Sequence, residues 1–199
     1  MQSVNNTYYE SNAEQFFSET ESVDMSGIRE VFLKYIPAGG AIRDWGCGSG
    51  RDTLAFIEAG YQVDASDASE KLCELASEKT GIRVMCETFD EMKAENQYDG
   101  IWACASLLHV EKDRIPEMIH IAREALKSGG VIYISFKYGE FEGMRNGRFF
   151  TDMTEERFAE ILNHIKGMNR IEQWITGDVR EGREDGRWLN LILRKKDIN

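Results

Sequence analysis

The chain has 199 residues, of which 42% are apolar and 30% charged, the make-up of a soluble globular protein with room for one domain and a real core. A formal net charge of −11 is opposite in sign to what a nucleic-acid surface needs, so no nucleic-acid partner is expected. No apolar run reaches membrane-spanning length, no signal peptide opens the chain, and Cys47, Cys73, Cys86 and Cys104 are dispersed without a C-x-x-C. The expectation is therefore a cytoplasmic protein with reduced thiols and no membrane partner.

Residues 3–20 place Tyr9, Ala13 and Phe16 on one helical face, and Ser26 is expected to cap a helix over 27–35. Two readings stand for the N-terminal aromatics: packing against the sheet, or a lid over a ligand. Pro37 to Gly40 is a turn, and a strand follows over 41–45. Arg43 is unexpected there, because a central strand is buried on both faces and a buried guanidinium needs a partner.

The next stretch, Asp44-Trp45-Gly46-Cys47-Gly48-Ser49-Gly50-Arg51, leads into a helical pattern from Asp52 to Ala59. Glycines bend the backbone sharply at a strand end and let a ligand lie against it. The helix behind the turn offers free N–H groups. The third glycine comes one residue too early for a dinucleotide fingerprint, and no P-loop is present. Asp44 facing the same pocket suits a cationic ligand and disfavours a pyrophosphate.

Later segments complete an alternating pattern. Strands are expected over 61–66, 82–86, 98–104, 131–136, 171–175 and 188–194, with helices over 70–79, 113–126 and 155–165. Asp67 lies 17 residues past Gly50, near the offset at which an acid meets a ribose diol. Ser69 beside it is a good helix cap.

D-x-G-x-G-x-G at 44–50 resembles motif I of the class I S-adenosylmethionine-dependent methyltransferases. Asp67-Ala68, the turn Glu87-Thr88-Phe89, Tyr98-Asp99 followed by Leu107-Leu108-His109, and Leu126-Lys127-Ser128-Gly129-Gly130 are similar to further motifs of that family, in the same order. Within it the chain looks like small bacterial methyltransferases of the tellurite-resistance and small-molecule type. The resemblance implies an α/β fold: a single-domain, open, seven-stranded, doubly wound Rossmann-like sheet with its last strand antiparallel. It implies one domain over 1–199, with 1–25 as a helical lid and 137–152 as a substrate-side loop.

The resemblance also implies S-adenosylmethionine as cofactor. Its methionine part would lie on Asp44, Gly46, Cys47, Gly48, Gly50 and Arg51, and its ribose on Asp67 and Ala68. Its adenine would meet Glu87, Thr88 and Phe89, with Phe89 either stacking on the base or filling the core. Ala103, Cys104 and Ala105 would lie beside the reactive methyl, under Tyr9. His109 is the candidate general base, or else it packs and caps; His120 and His164 are read as structural. Tyr138, Arg148 and Arg180 are candidate substrate contacts. With Arg183 and Arg187 the arginines either hold an anion or belong to a solvated loop. No metal site is expected. The implied activity is methyl transfer to a small-molecule acceptor. The alternatives are a non-catalytic binding domain for the cofactor or its product, and, less well supported, a nicotinamide oxidoreductase.

Overall fold

The computed structural model describes residues 2–179 and 186–197. Two short helices, α1 (Gln2–Ser11) and α2 (Ala13–Thr20), open the chain, and α3 (Ser26–Leu33) follows. Then strands and helices alternate: β1 (Ala41–Trp45), α4 (Arg51–Glu58), β2 (Gln62–Asp67), α5 (Glu70–Thr80), β3 (Met85–Cys86) and β4 (Tyr98–Ala103). Next come α6 (Ile115–Ala125), β5 (Leu126–Lys137), a hairpin of β6 (Glu142–Arg145) and β7 (Arg148–Thr151), α7 (Glu155–Asn163), β8 (Met168–Gly177) and β9 (Arg187–Lys195). No helix among the described residues is long and apolar enough to cross a membrane.

Seven strands form one sheet in the order β3-β2-β1-β4-β5-β9-β8. The first five run parallel, and β9 lies antiparallel between β5 and β8. This is the expected architecture, including the antiparallel last strand. Strand order reverses between β1 and β4, and such a switch point leaves a crevice at the carboxyl ends of the strands. Both faces are covered. The α6 and α7 side buries Leu126, Ile132, Ile134, Phe136 and Phe158, and the α3 side buries Phe32, Phe56, Trp102 and Tyr133.

Local chemistry departs from the sequence expectation in four places. Ser26 is the first residue of α3 rather than its cap; the Asp24 carboxylate accepts from the Ser26 N–H at 2.8 Å instead. The strand expected over 82–86 is reduced to Met85–Cys86, at the sheet edge. The helix α6 starts two residues later than expected, with Pro116 in its first turn, after a 3-10 turn over Lys112–Arg114. It also ends at Ala125, because Leu126 already pairs with Tyr98. Gly129 is left-handed (φ 73°) inside the resulting irregularity of β5. Ser69 does cap α5, its Oγ accepting from the Leu72 N–H at 3.3 Å.

Arg43 is 1% exposed, and its partner is Glu87, which follows β3 and is reached across β2. A second Arg43 nitrogen lies 3.8 Å from the Met85 sulfur. The pair ties the middle of the sheet to its short edge strand. Removing one side of such a pair leaves a buried charge without compensation, which costs more than replacing both sides. Glu87→Ala is therefore expected to destabilise the fold by about 2–4 kcal/mol, and Arg43→Leu combined with Glu87→Leu by distinctly less, as read by urea unfolding.

Candidate functional site

A cavity of about 310 Å³ opens at the carboxyl ends of β1, β2, β4 and β5. Its floor is the glycine turn. Gly46 and Cys47 both donate N–H bonds to the Ser66 carbonyl at 2.9 Å, which holds the turn against β2. A Cβ at Gly46 would lie 2.6 Å from the Ser106 Cβ, and one at Gly48 would lie 3.0 Å from the Phe16 ring. Both residues have left-handed φ, 85° and 55°. Backbone therefore forms this wall where side chains would fill it. Gly50 is different. It does not line the cavity, and a Cβ there would strike Thr80 and Ala76 at 2.9 and 3.1 Å, so its glycine lets α4 pack against α5.

Three carboxyl groups lie along this floor, Asp44 and Asp52 buried and Asp67 half-buried. Asp44, 2% exposed, accepts from the Thr53 hydroxyl at 2.6 Å. Burial, and then the negative charge of Asp52, push its carboxyl up to about 7. Asp52, not singled out by the sequence, accepts from Arg29 at 2.6 Å, from Arg51 at 2.6 and 3.1 Å, and from the Trp102 indole at 3.0 Å. Burial raises its carboxyl, but the Arg51 and Arg29 guanidiniums outweigh burial and leave it below the usual range. Asp67 accepts from the Gly48 N–H at 2.9 Å and the Ser69 N–H at 3.0 Å. Burial nonetheless keeps it above its ordinary value.

Asp44, Gly46, Cys47, Gly48, Arg51, Asp67, Ala68, Glu87, Phe89, Cys104, Ala105, Tyr9, His109 and Arg148 all line the cavity. Glu87 does so with one carboxylate oxygen committed to Arg43. Three other expected contacts do not line it. Thr88 turns away, because its N–H and its hydroxyl both donate to the Glu91 carboxylate at 2.8 Å and close a capping box on the turn Phe89–Glu91. Ala103 is fully buried beneath the end of β4. Tyr138 lies under the Arg187 guanidinium, 4.2 Å from ring centroid to Cζ. Arg180 and Arg183 lie outside the described residues. His120 and His164 are exposed and away from the cavity.

The roof is α1 and α2. Asn5 holds α1 down: its side chain donates to the Phe149 and His109 carbonyls at 3.3 and 3.4 Å and accepts from the Phe149 N–H at 2.7 Å. Glu10 accepts from the Ser69 hydroxyl at 2.8 Å, and Thr20 donates to the Ser49 hydroxyl at 3.1 Å. Asn5 was not anticipated, since a single polar residue on a short helix carries no periodic signal.

His109 has both ring nitrogens engaged. The Phe149 carbonyl, 2.7 Å from Nδ1, can only accept, so the proton sits on Nδ1. Nε2 then accepts from the Tyr9 hydroxyl at 2.7 Å, and that hydroxyl in turn accepts from Arg148 at 3.3 Å. Burial, outweighing the bond to the Phe149 carbonyl, brings the imidazole down to about 4, with Arg148 and Lys137 adding to the drop. The ring is therefore neutral at neutral pH. Ala105, at the end of β4, is held at φ 50° with its N–H donating to the Ser135 hydroxyl at 2.8 Å.

Residues 42–130 match the methyltransferase domain family. A protein of Staphylococcus carnosus (strain TM300), described as an uncharacterized methyltransferase, is 23% identical over 78% of this chain and 82% of its own length. The crystal structure of 1,6-didemethyltoxoflavin-N1-methyltransferase from Burkholderia thailandensis superposes with a TM-score of 0.80 at 21% identity, covering 98% of this chain and 89% of that one. The [4+2]-cyclase SpnF superposes with a TM-score of 0.75 at 14% identity, covering 96% and 94%. Residues 42–130 are thus a methyltransferase domain, and the chain carries the fold of the class I S-adenosylmethionine-dependent methyltransferases.

Proposed function

We propose that this chain transfers a methyl group from S-adenosylmethionine to a small-molecule acceptor, with residues 1–199 working as one unit. The observation that carries the reading is the cavity floor. Backbone-only wall at Gly46 and Gly48 is bracketed by two carboxyl groups with different surroundings, the buried Asp44 below the turn and the half-buried Asp67 across it. A ligand with an ammonium at one end and a vicinal diol further along fits that spacing of groups. A dinucleotide pyrophosphate does not, since it would bring negative charge to Asp44. The cofactor, when bound, supplies a methyl group already activated on a sulfonium. The Burkholderia thailandensis neighbour was crystallised with S-adenosylhomocysteine and its small-molecule acceptor, which supports the same reading here.

In this reading the Asp67 carboxylate accepts from the ribose hydroxyls, and Asp44 faces the ammonium. The turn Gly46-Cys47-Gly48 lies along the methionine part, and Phe89 and Ala68 flank the base. Cys104, Ala105 and Ser106 stand where the methyl group is presented. The helices of residues 1–25 close over this site, and the hairpin within 137–152 walls the acceptor side. The remaining work of the chain is alignment and exclusion of water, because an in-line displacement from a charged leaving group needs little else. His109 acts as a positioning residue: it fixes the Tyr9 hydroxyl, and with it α1, and leaves no nitrogen for the acceptor.

Three results test this. Calorimetric titration is expected to show binding of S-adenosylhomocysteine and none of NAD, with Asp67→Ala weakening the former about 10–100-fold, the loss of a charge-assisted pair of hydrogen bonds. Loss of all sulfur-ligand binding in the wild type, or equal binding of NAD, defeats the reading.

The second concerns pH. Asp44 titrates at about 7 in the free protein, above its unfolded value. It therefore holds a proton that a cationic group must displace, and affinity is expected to rise up to tenfold per unit between about pH 5 and about pH 7 and then level off. The same raised value makes the free protein lose stability as pH rises through that window. Asp44→Asn should flatten both curves.

Third, His109→Gln is expected to lower cofactor affinity about 3–10-fold through the loosened Tyr9 contact while leaving the pH dependence of kcat unchanged. A pH limb that vanishes in the variant would restore His109 as a base.

A further inference from the structure

The acceptor half of the cavity differs in chemistry from the cofactor half. Around His109 its walls are aromatic, and the cations Arg148 and Lys137 line it together with the carboxylates Glu111 and Asp178. Arg148, at the start of β7, presents its guanidinium into the cavity between three rings, with Cζ 4.6 Å from the Tyr8 centroid, 5.2 Å from Phe150 and 5.7 Å from Tyr9. Neighbouring arginines on this side are paired: Arg145 with Asp152 at 2.7 Å and Arg157 with Glu142 at 3.6 Å. Arg148 has no ion pair among the described residues, and its buried Nε has no hydrogen-bond partner among them. The hydroxyl of Ser106, 6% exposed and also lining the cavity, is likewise without a partner among the described residues. Lys137 places its ammonium 5.7 Å from the same Phe150 ring and 5.6 Å from the Trp188 ring.

The charges that bear on His109 agree with this. After burial, the influences that push its proton off are Arg148 and Lys137. The carboxylates Glu111 and Asp178 also line the cavity but are not among the charges that act on this ring. A half-buried guanidinium stacked on rings with no carboxylate paired to it is a ready partner for a negatively charged ligand group. His109 is not free to take a proton: both of its nitrogens are engaged, and a chain through Tyr9 ends on an imidazole that is a weak base.

We propose that the acceptor is a planar aromatic molecule bearing an anionic oxygen group, held by the Arg148 guanidinium over the Phe150 and Trp188 rings, and that it reacts without prior loss of a proton to His109. This rests on the methyl-transfer reading above. In the step, a lone pair already present on the acceptor forms the bond to the methyl carbon. The carbon–sulfur bond breaks, and its electron pair returns to sulfur, leaving neutral S-adenosylhomocysteine. Where the anionic oxygen is itself the nucleophile, its charge is cancelled with the sulfonium's, and no proton is released.

The test titrates protein saturated with S-adenosylhomocysteine with planar acids of one to three rings, namely benzoate, 2-naphthoate and 2-anthroate, and with the matching carboxamides and aminomethyl compounds. At least one acid is expected to bind about tenfold or more tightly than its amide and its amine, the contribution of a charge-assisted bond in a partly desolvated site. That preference is expected to disappear in Arg148→Gln and to return in part in Arg148→Lys, with thermal melts of both variants confirming that they fold. Amides or amines that match the acids, an acid preference that survives Arg148→Gln, or no binding by any acid overturns the proposal. Failure of S-adenosylhomocysteine itself to bind defeats the cofactor reading and this inference with it. Binding of S-adenosylhomocysteine without a preference for the acids defeats this inference alone.

Discussion

The site depends on one buried carboxylate, Asp52. Charge in a protein interior survives only if it is paired and hydrogen-bonded. Asp52 meets that condition with three donors from three elements: Arg29 of α3, Arg51 at the start of α4, and Trp102 of β4. Those bonds draw α3 and α4 onto the sheet directly beneath the glycine turn. They also fix the protonation of the neighbour. Because Asp52 stays ionised, Asp44 pays for its own burial by holding a proton up to about pH 7. Two carboxyl groups on adjacent elements thus have opposite tendencies, set by which of them the guanidiniums reach.

The rest of the cavity follows the same division. On the cofactor side, carboxyl groups and free backbone favour a ligand with positive charge and hydroxyl groups. Around His109, Arg148 and Lys137 are the charges that act on a neutral imidazole. The roof joins the halves, since Glu10 of α1 reaches Ser69 on one side while Tyr9 and Asn5 reach His109 and Phe149 on the other. That helix therefore borders both halves at once. A fold shared with a cyclase as well as with methyltransferases does not by itself fix a chemistry, so the functional weight falls on these groups.

The strand segments were legible in the chain as apolar runs broken by Gly-rich turns, while the layer order and the antiparallel ending followed from the resemblance to the methyltransferases. So were the glycine turn and Asp67, whose spacing follows from the length of one strand-turn-helix unit. Errors fell where one short-range signal competed with another. Ser26 lost its capping role to Asp24 two residues earlier, and Thr88 spent its donors on Glu91. Gly50 resembled its neighbours in the motif but serves helix packing.

By itself, then, the sequence determined the periodicities, the turn chemistry and the short-range spacing, since these are set by bonds and angles within a few residues. Only the tertiary structure decided which charges meet. Arg43 needed Glu87, which is 44 positions away and two strands across the sheet. His109 stood open between a base and a packing residue until Tyr9, from the far end of the chain, and the Phe149 carbonyl were seen to occupy its two nitrogens. A pKa depends on burial and on neighbours in space, and neither is written in the order of residues along the chain.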